Sequence, residues 1–87
     1  MGEQDLPRSF WLELLQLYDE FIRTGKTDKE TIEMLGKAGL LREGTLMGQE
    51  IINAFPHLEF KDVEPLVRKG IREKIVENLK RAVDDTI

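Results

Sequence analysis

An all-α fold, a single small domain of four helices with a long last one, is what these 87 residues predict. Three observations lead there. Apolar residues recur at helical spacing through every long segment, and glycine or proline falls between the segments. No polar–apolar alternation runs beyond four residues, so no sheet is expected. The expected helices cover about 6–24, 28–38, 43–55 and 62–85, within one domain spanning 1–87. A chain of this length buries about two thirds of its unfolded surface, so each large side chain counts.

The first helix is the most apolar. Nine of thirteen residues from Phe10 to Ile22 are hydrophobic, whereas a peripheral bundle helix needs one stripe of roughly 100°. Trp11, Leu14, Leu15, Tyr18, Phe21 and Ile22 make that stripe. Phe10, Leu12 and Leu17 spread apolar surface toward the opposite side. Such a helix is either surrounded by its own chain, and then central, or covered by another molecule. Leu15→Ala or Phe21→Ala, read as core changes, would cost ~2–5 kcal/mol. Asp5 or Ser9 is the candidate cap, with Pro7 in the opening turn, and Gly25 suits the left-handed residue after the end.

Thr27 and Glu30 have capping-box spacing and open the second helix, whose inner face is Ile32 and Leu35 with Met34 and Ala38. Gly39 followed by Leu40 reads as its stop. The third helix begins at Glu43 or Thr45, carries Leu46, Met47, Ile51, Ile52, Ala54 and Phe55, and ends at Pro56. Leu58 and Phe60 then plug the core from a linker, and Asp62 caps the last helix with Pro65 in its first turn.

The last helix repeats an apolar residue every fourth position: Val63, Val67, Ile71, Ile75, Leu79, Val83 and Ile87. Four residues advance about 400°, so the stripe drifts about 40° per step and no single flat partner covers it. At 1.5 Å per residue this helix reaches ~36 Å against ~27 Å for the first. Its end, at Leu79, Val83 and Ile87, is expected to overhang and meet a second copy. Gly36, Gly48 and Gly70 lie in or near helices, which suits close helix approach or, on a functional reading, a hinge.

Composition excludes more chemistry than it suggests. The absence of cysteine removes disulfides, thiolate nucleophiles and cysteine-bound zinc, and points to a reducing cytoplasm. The first residues lack the basic start and apolar run of a signal peptide, and charges interrupt every apolar run before a membrane span. No membrane partner is expected. Residues 1–60 carry six basic and eleven acidic side chains, which disfavours binding to phosphate backbones.

Catalytic motifs fail on their own terms. Gly25-Lys26-Thr27 resembles the end of a phosphate-binding loop, but Glu20 stands where that loop needs glycine, and a helix precedes it. The chain has one serine, Ser9, and one histidine, His57, too few for a nucleophilic triad or a zinc site. Acyl-carrier function lacks an Asp-Ser-Leu attachment site. No catalytic, cofactor-binding or metal residue is assigned, and no cofactor or enzyme activity is expected. Residues Glu30–Leu40 resemble the first helix and loop of ubiquitin-associated modules, but lack the aromatic after the loop glycine. No function is carried over from that segment.

The expected role is therefore a non-enzymatic helical protein–protein interaction module, homo-oligomeric or with another protein as partner. Its interface candidates are Phe10, Trp11, Leu17, Leu79 and Val83. Trp11 is equally a core residue by size, and its exposure in a monomer separates the two readings. The alternative is a helix-turn-helix regulator in which helices two and three bind DNA and helix four dimerises. Its candidates are Gln49, Asn53, Arg68 and Arg72. Glu64–Arg68 and Glu77–Arg81 spacing reads equally well as a solvated, salt-bridged face.

Overall fold

The computed structural model describes residues 6–82, so Val83, Asp84, Asp85 and Ile87 lie outside the described residues. Four helices follow one another: α1 (Arg8–Thr24), α2 (Lys29–Lys37), α3 (Leu40–Ala54) and α4 (Phe60–Arg81). No strand occurs among the described residues.

The helix stops fall where glycine placed them, while several starts differ. Gly25 takes φ +73° and returns its N–H to the Phe21 carbonyl at 2.7 Å, a left-handed cap that glycine adopts without a Cβ clash. The cap of α1 is Pro7 and not Ser9, while Asp5 lies outside the described residues. The Pro7 carbonyl accepts from Phe10 N–H at 3.1 Å. At α2 the cap is Asp28, whose carboxylate accepts from Glu30 N–H at 3.0 Å, so Thr27 forms no capping box there. Gly39, at φ +76°, ends α2 and is at once the N-cap of α3. The loop expected at 39–42 therefore collapses, and Leu40 enters the core as the first residue of α3. Helix α4 also starts early. Glu59 is its cap, and its N–H donates to the Asp62 carboxylate at 3.1 Å, so Asp62 serves from within the first turn. Pro65 lies deeper than expected and removes the N–H that would reach the Lys61 carbonyl.

Packing makes α4 the hub, and not α1. Helix α4 lies against α1 and against α3, while α2 closes on α1 and α3. The drifting stripe explains how one helix serves two neighbours. Val67 and Ile71 meet the glycine face of α3 at Gly44 and Gly48. Further along, Ile71 and Ile75 join Trp11, Leu14 and Tyr18 of α1 in one cluster, completed by Leu35, Ala38 and Leu40. One tight approach is at Gly44, where an added Cβ would fall 2.9 Å from Ile71 Cδ1. A Cβ at Gly70 would fall 2.8 Å from Met47 Sδ. Gly70 thus marks close packing, while Gly36 and Gly48 have ordinary room. Leu15 and Phe21 pack on the core only partly buried, which puts their truncation at the lower end of the expected cost.

Helices α1 and α4 run antiparallel, and their register overturns the overhang expected at Leu79, while Val83 and Ile87 lie outside the described residues. Arg68 lies over the Phe21 ring at 4.8 Å, and Arg72 donates to both Asp19 oxygens, at 2.6 and 3.3 Å. At the other end, Trp11 shares a small cavity with Asn78 and Ala82. Helix α1 therefore covers α4 to its C-terminal end, and Leu79 packs against the core. Because α1 stops at Thr24, the opening turns of α4 run past it. Phe60 begins α4 at 76% exposure instead of plugging the core, and Leu66 is exposed too. Ile32, Leu46, Ile52 and Phe55, expected inside, also face solvent.

Candidate functional site

The projecting part of α4 and the outer face of α3 enclose an apolar groove of about 350 Å³. Leu41, Gly44, Thr45, Gly48, Gln49 and Ile52 stand at helical i, i+3, i+4 spacing and so share one side of α3. Phe60, Val63, Glu64 and Val67 do the same on α4. The two glycines keep the α3 wall low, and the valines form the floor. Leu41 at 46% exposure, Ile52 at 43% and Phe60 make the apolar rim. One carboxylate, Glu64, lines the groove, and Arg68 holds it at 2.6 Å.

The interface candidates read from the sequence lie elsewhere. Trp11 is 1% exposed and belongs to the core of this protomer, so it is unavailable to a partner. The reason is that α4 packs its Ile71 and Ile75 on the α1 stripe that carries Trp11, Leu14 and Tyr18. Phe10 stacks edge-on against Trp11 at 5.4 Å and is partly buried, as are Leu17 and Leu79. Val83 lies outside the described residues. Leu41 and Phe60 were not among the candidates, although the Leu41–Thr45–Gly48–Ile52 spacing with two glycines was a readable signal. Ile52 belongs to the apolar set read for the third helix.

The nucleic-acid candidates do not converge on one surface. Gln49 lines the groove and Asn53 stands one turn further along α3, both exposed. Arg68 and Arg72 lie on the α1 side of α4, committed to Glu64 and Phe21 and to Asp19.

Little arrangement for bond-making chemistry is present among the described residues. Ser9 is in the first turn of α1, and His57 sits in the α3–α4 loop with its ring edge-on to Phe55 at 6.3 Å. Burial pushes the Tyr18 phenol up to about 12, with Arg68 lowering it and Glu64 raising it. Tyr18 is thus a neutral core phenol at physiological pH. No group of three His, Cys, Asp or Glu side chains that could hold a metal ion occurs among the described residues. No described helix is long and apolar enough to cross a membrane.

A second depression, about 400 Å³, lies between α1 and α2 and gathers Glu13, Glu30 and Glu33 beside Phe10 and Met34. A side-chain hydrogen bond with Glu13 is the main cause raising the pKa of Glu30, and the Glu13 charge adds to it. A carboxyl with a raised folded-state pKa contributes stability that is full below the unfolded value of about 4.3 and is lost as pH rises through the folded value. Glu30→Gln mimics the protonated form. Its melting temperature relative to the parent should therefore rise as pH climbs above about 4.3. A difference that stays constant as pH rises contradicts the raised Glu30 pKa. Both groups are exposed, so the effect should shrink with added salt.

Comparison with family models, curated proteins and solved structures finds no match for this chain.

Proposed function

We propose that this chain is a non-enzymatic protein–protein interaction module working through the α3–α4 groove, with a further copy of itself or another protein as partner. One observation carries the reading. Leu41, Ile52 and Phe60 stay exposed around a single groove while the core shared by the four helices closes without them. Apolar side chains concentrated at one concave place mark interaction sites, whereas single scattered ones are ordinary. The absence of cysteine favours a reducing cytoplasm as its home.

The test compares the parent with Ile52→Glu, a substitution at an exposed rim position that leaves the core untouched. Sedimentation at micromolar concentration reports self-association, and affinity capture reports other protein partners. Association of either kind by the parent, lost in a variant of equal helicity, is the expected outcome. Indistinguishable behaviour of the two chains in both measurements removes the reading.

A further inference from the structure

We infer that the occupant of the α3–α4 groove is a second copy of this chain, docked about a two-fold axis with the Phe60 ring of each copy seated between Leu41 and Ile52 of the other. This rests on the interaction-module reading and names its partner.

The groove carries both halves of a contact. A groove shaped for a foreign helix needs only a concave, apolar acceptor. Here the most exposed large apolar side chain of the described residues, Phe60, stands on the rim of the hollow itself. A projection and a hollow on one surface satisfy each other twice under two-fold symmetry, since residue i of one copy meets residue j of the next and the reverse. The hollow is large enough. An apolar cavity of roughly 150 Å³ takes a benzene ring, and the groove offers about 350 Å³.

Area and charge agree with a modest dimer. At roughly 200 Å² per fully exposed large apolar residue, the three rim residues present roughly 330 Å². Interfaces are roughly 60% apolar, so such a contact covers roughly 550 Å² per copy and roughly 1,100 Å² in the pair. That clears the ~1,000 Å² of a specific interface and falls short of the ~1,600 Å² standard. A contact of that size belongs with the weaker, reversible interfaces. Covering the groove also strands no lone charge, because Glu64 already has Arg68.

The experiment is sedimentation of the whole chain across micromolar to submillimolar concentration, with two variants and their mixture. Phe60→Ala removes the projection and keeps the hollow, while Ile52→Glu keeps the projection and spoils the hollow. Both positions are exposed, and circular dichroism confirms the fold of each. The parent should dimerise, each variant alone should bind itself at least ~10-fold more weakly, and an equimolar mixture should regain part of the association. Recovery arises because a mixed pair rebuilds one of the two contacts, which no foreign partner could supply. A parent dimer that Phe60→Ala leaves unchanged overturns this inference and leaves the module reading standing. So does a monomeric parent that still captures another protein through Ile52. A monomeric parent with no protein partner overturns both.

Discussion

Trp11→Ala is expected to lower the unfolding free energy by ~3–5 kcal/mol, the range for removing a large aromatic from a packed core. The site meets the conditions for the upper half of that range. Trp11 is 1% exposed, stacks edge-on with Phe10 at 5.4 Å, and shares its cluster with Leu14 and Ile75, both wholly enclosed. All four helices contribute to that cluster, so its collapse around a cavity means moving them together. Domains carry roughly 5–15 kcal/mol of stability in total, and a chain this short lies toward the lower end. The variant should therefore be largely unfolded at physiological temperature. Urea titration followed by far-ultraviolet circular dichroism measures the loss, with exposed Leu12→Ala as a control expected within about 0.5 kcal/mol of the parent. An unchanged midpoint for Trp11→Ala contradicts its place in the core. Trp11 is also the sole tryptophan, so blue-shifted, quencher-protected emission from the monomer checks the same placement without a mutation.

Gly44→Val should destabilise by ~1–3 kcal/mol, whereas Gly48→Ala, one turn away, should stabilise by ~0.5–1 kcal/mol. The opposite signs come from the same seam between α3 and α4. At Gly44 the first added carbon falls 2.9 Å from Ile71 Cδ1 and 3.6 Å from Val67 Cγ1. A methyl alone could be met by turning the tip of Ile71. Valine adds two more groups, on a residue with little freedom at χ1, and pushes the helices apart. At Gly48 the nearest atom is Val67 Cγ2 at 3.8 Å, an ordinary contact. Alanine there keeps its helical advantage over glycine and pays no packing penalty. For a domain of this size each kcal/mol moves the melting temperature by about 4–8 °C, so thermal melts resolve both changes. Equal shifts of the same sign at the two positions contradict the seam geometry.

The groove is the consequence of that seam. Were Gly44 a larger residue, α3 could not lie so close to Val67 and Ile71, and the rim of Leu41, Ile52 and Phe60 would not surround one hollow. Stability and binding are thus linked at neighbouring positions on α3. Phe60 stands apart from this link. At 76% exposure it contributes little to the protomer's own core, which makes it the cleanest place to separate association from folding.

Reading the chain alone placed some features well. Gly25 and Gly39 were visible as stops because their role is local: a positive φ asks for a residue without a Cβ. Caps were misplaced for an equally local reason. Asp5, Ser9, Thr27, Asp28, Glu59 and Asp62 all carry an oxygen able to cap, and the choice among neighbours depends on how many further residues the helix can bury. Leu40 drew α3 back to Gly39 because its side chain reaches the core from there.

Four rods, their stops, and a rotating stripe on the last of them follow from spacing and from backbone chemistry within a few residues. Which side chains remain outside does not. Trp11, on the stripe of the first helix, and Phe60, in the expected linker, are both large aromatics with a claim on the interior. The antiparallel alignment of α1 with α4, set by contacts such as Asp19–Arg72 more than fifty positions apart, hides the first and leaves the second projecting. Burial is a property of how elements slide against one another, and that offset is decided by the sum of long-range contacts, which no short window of residues contains.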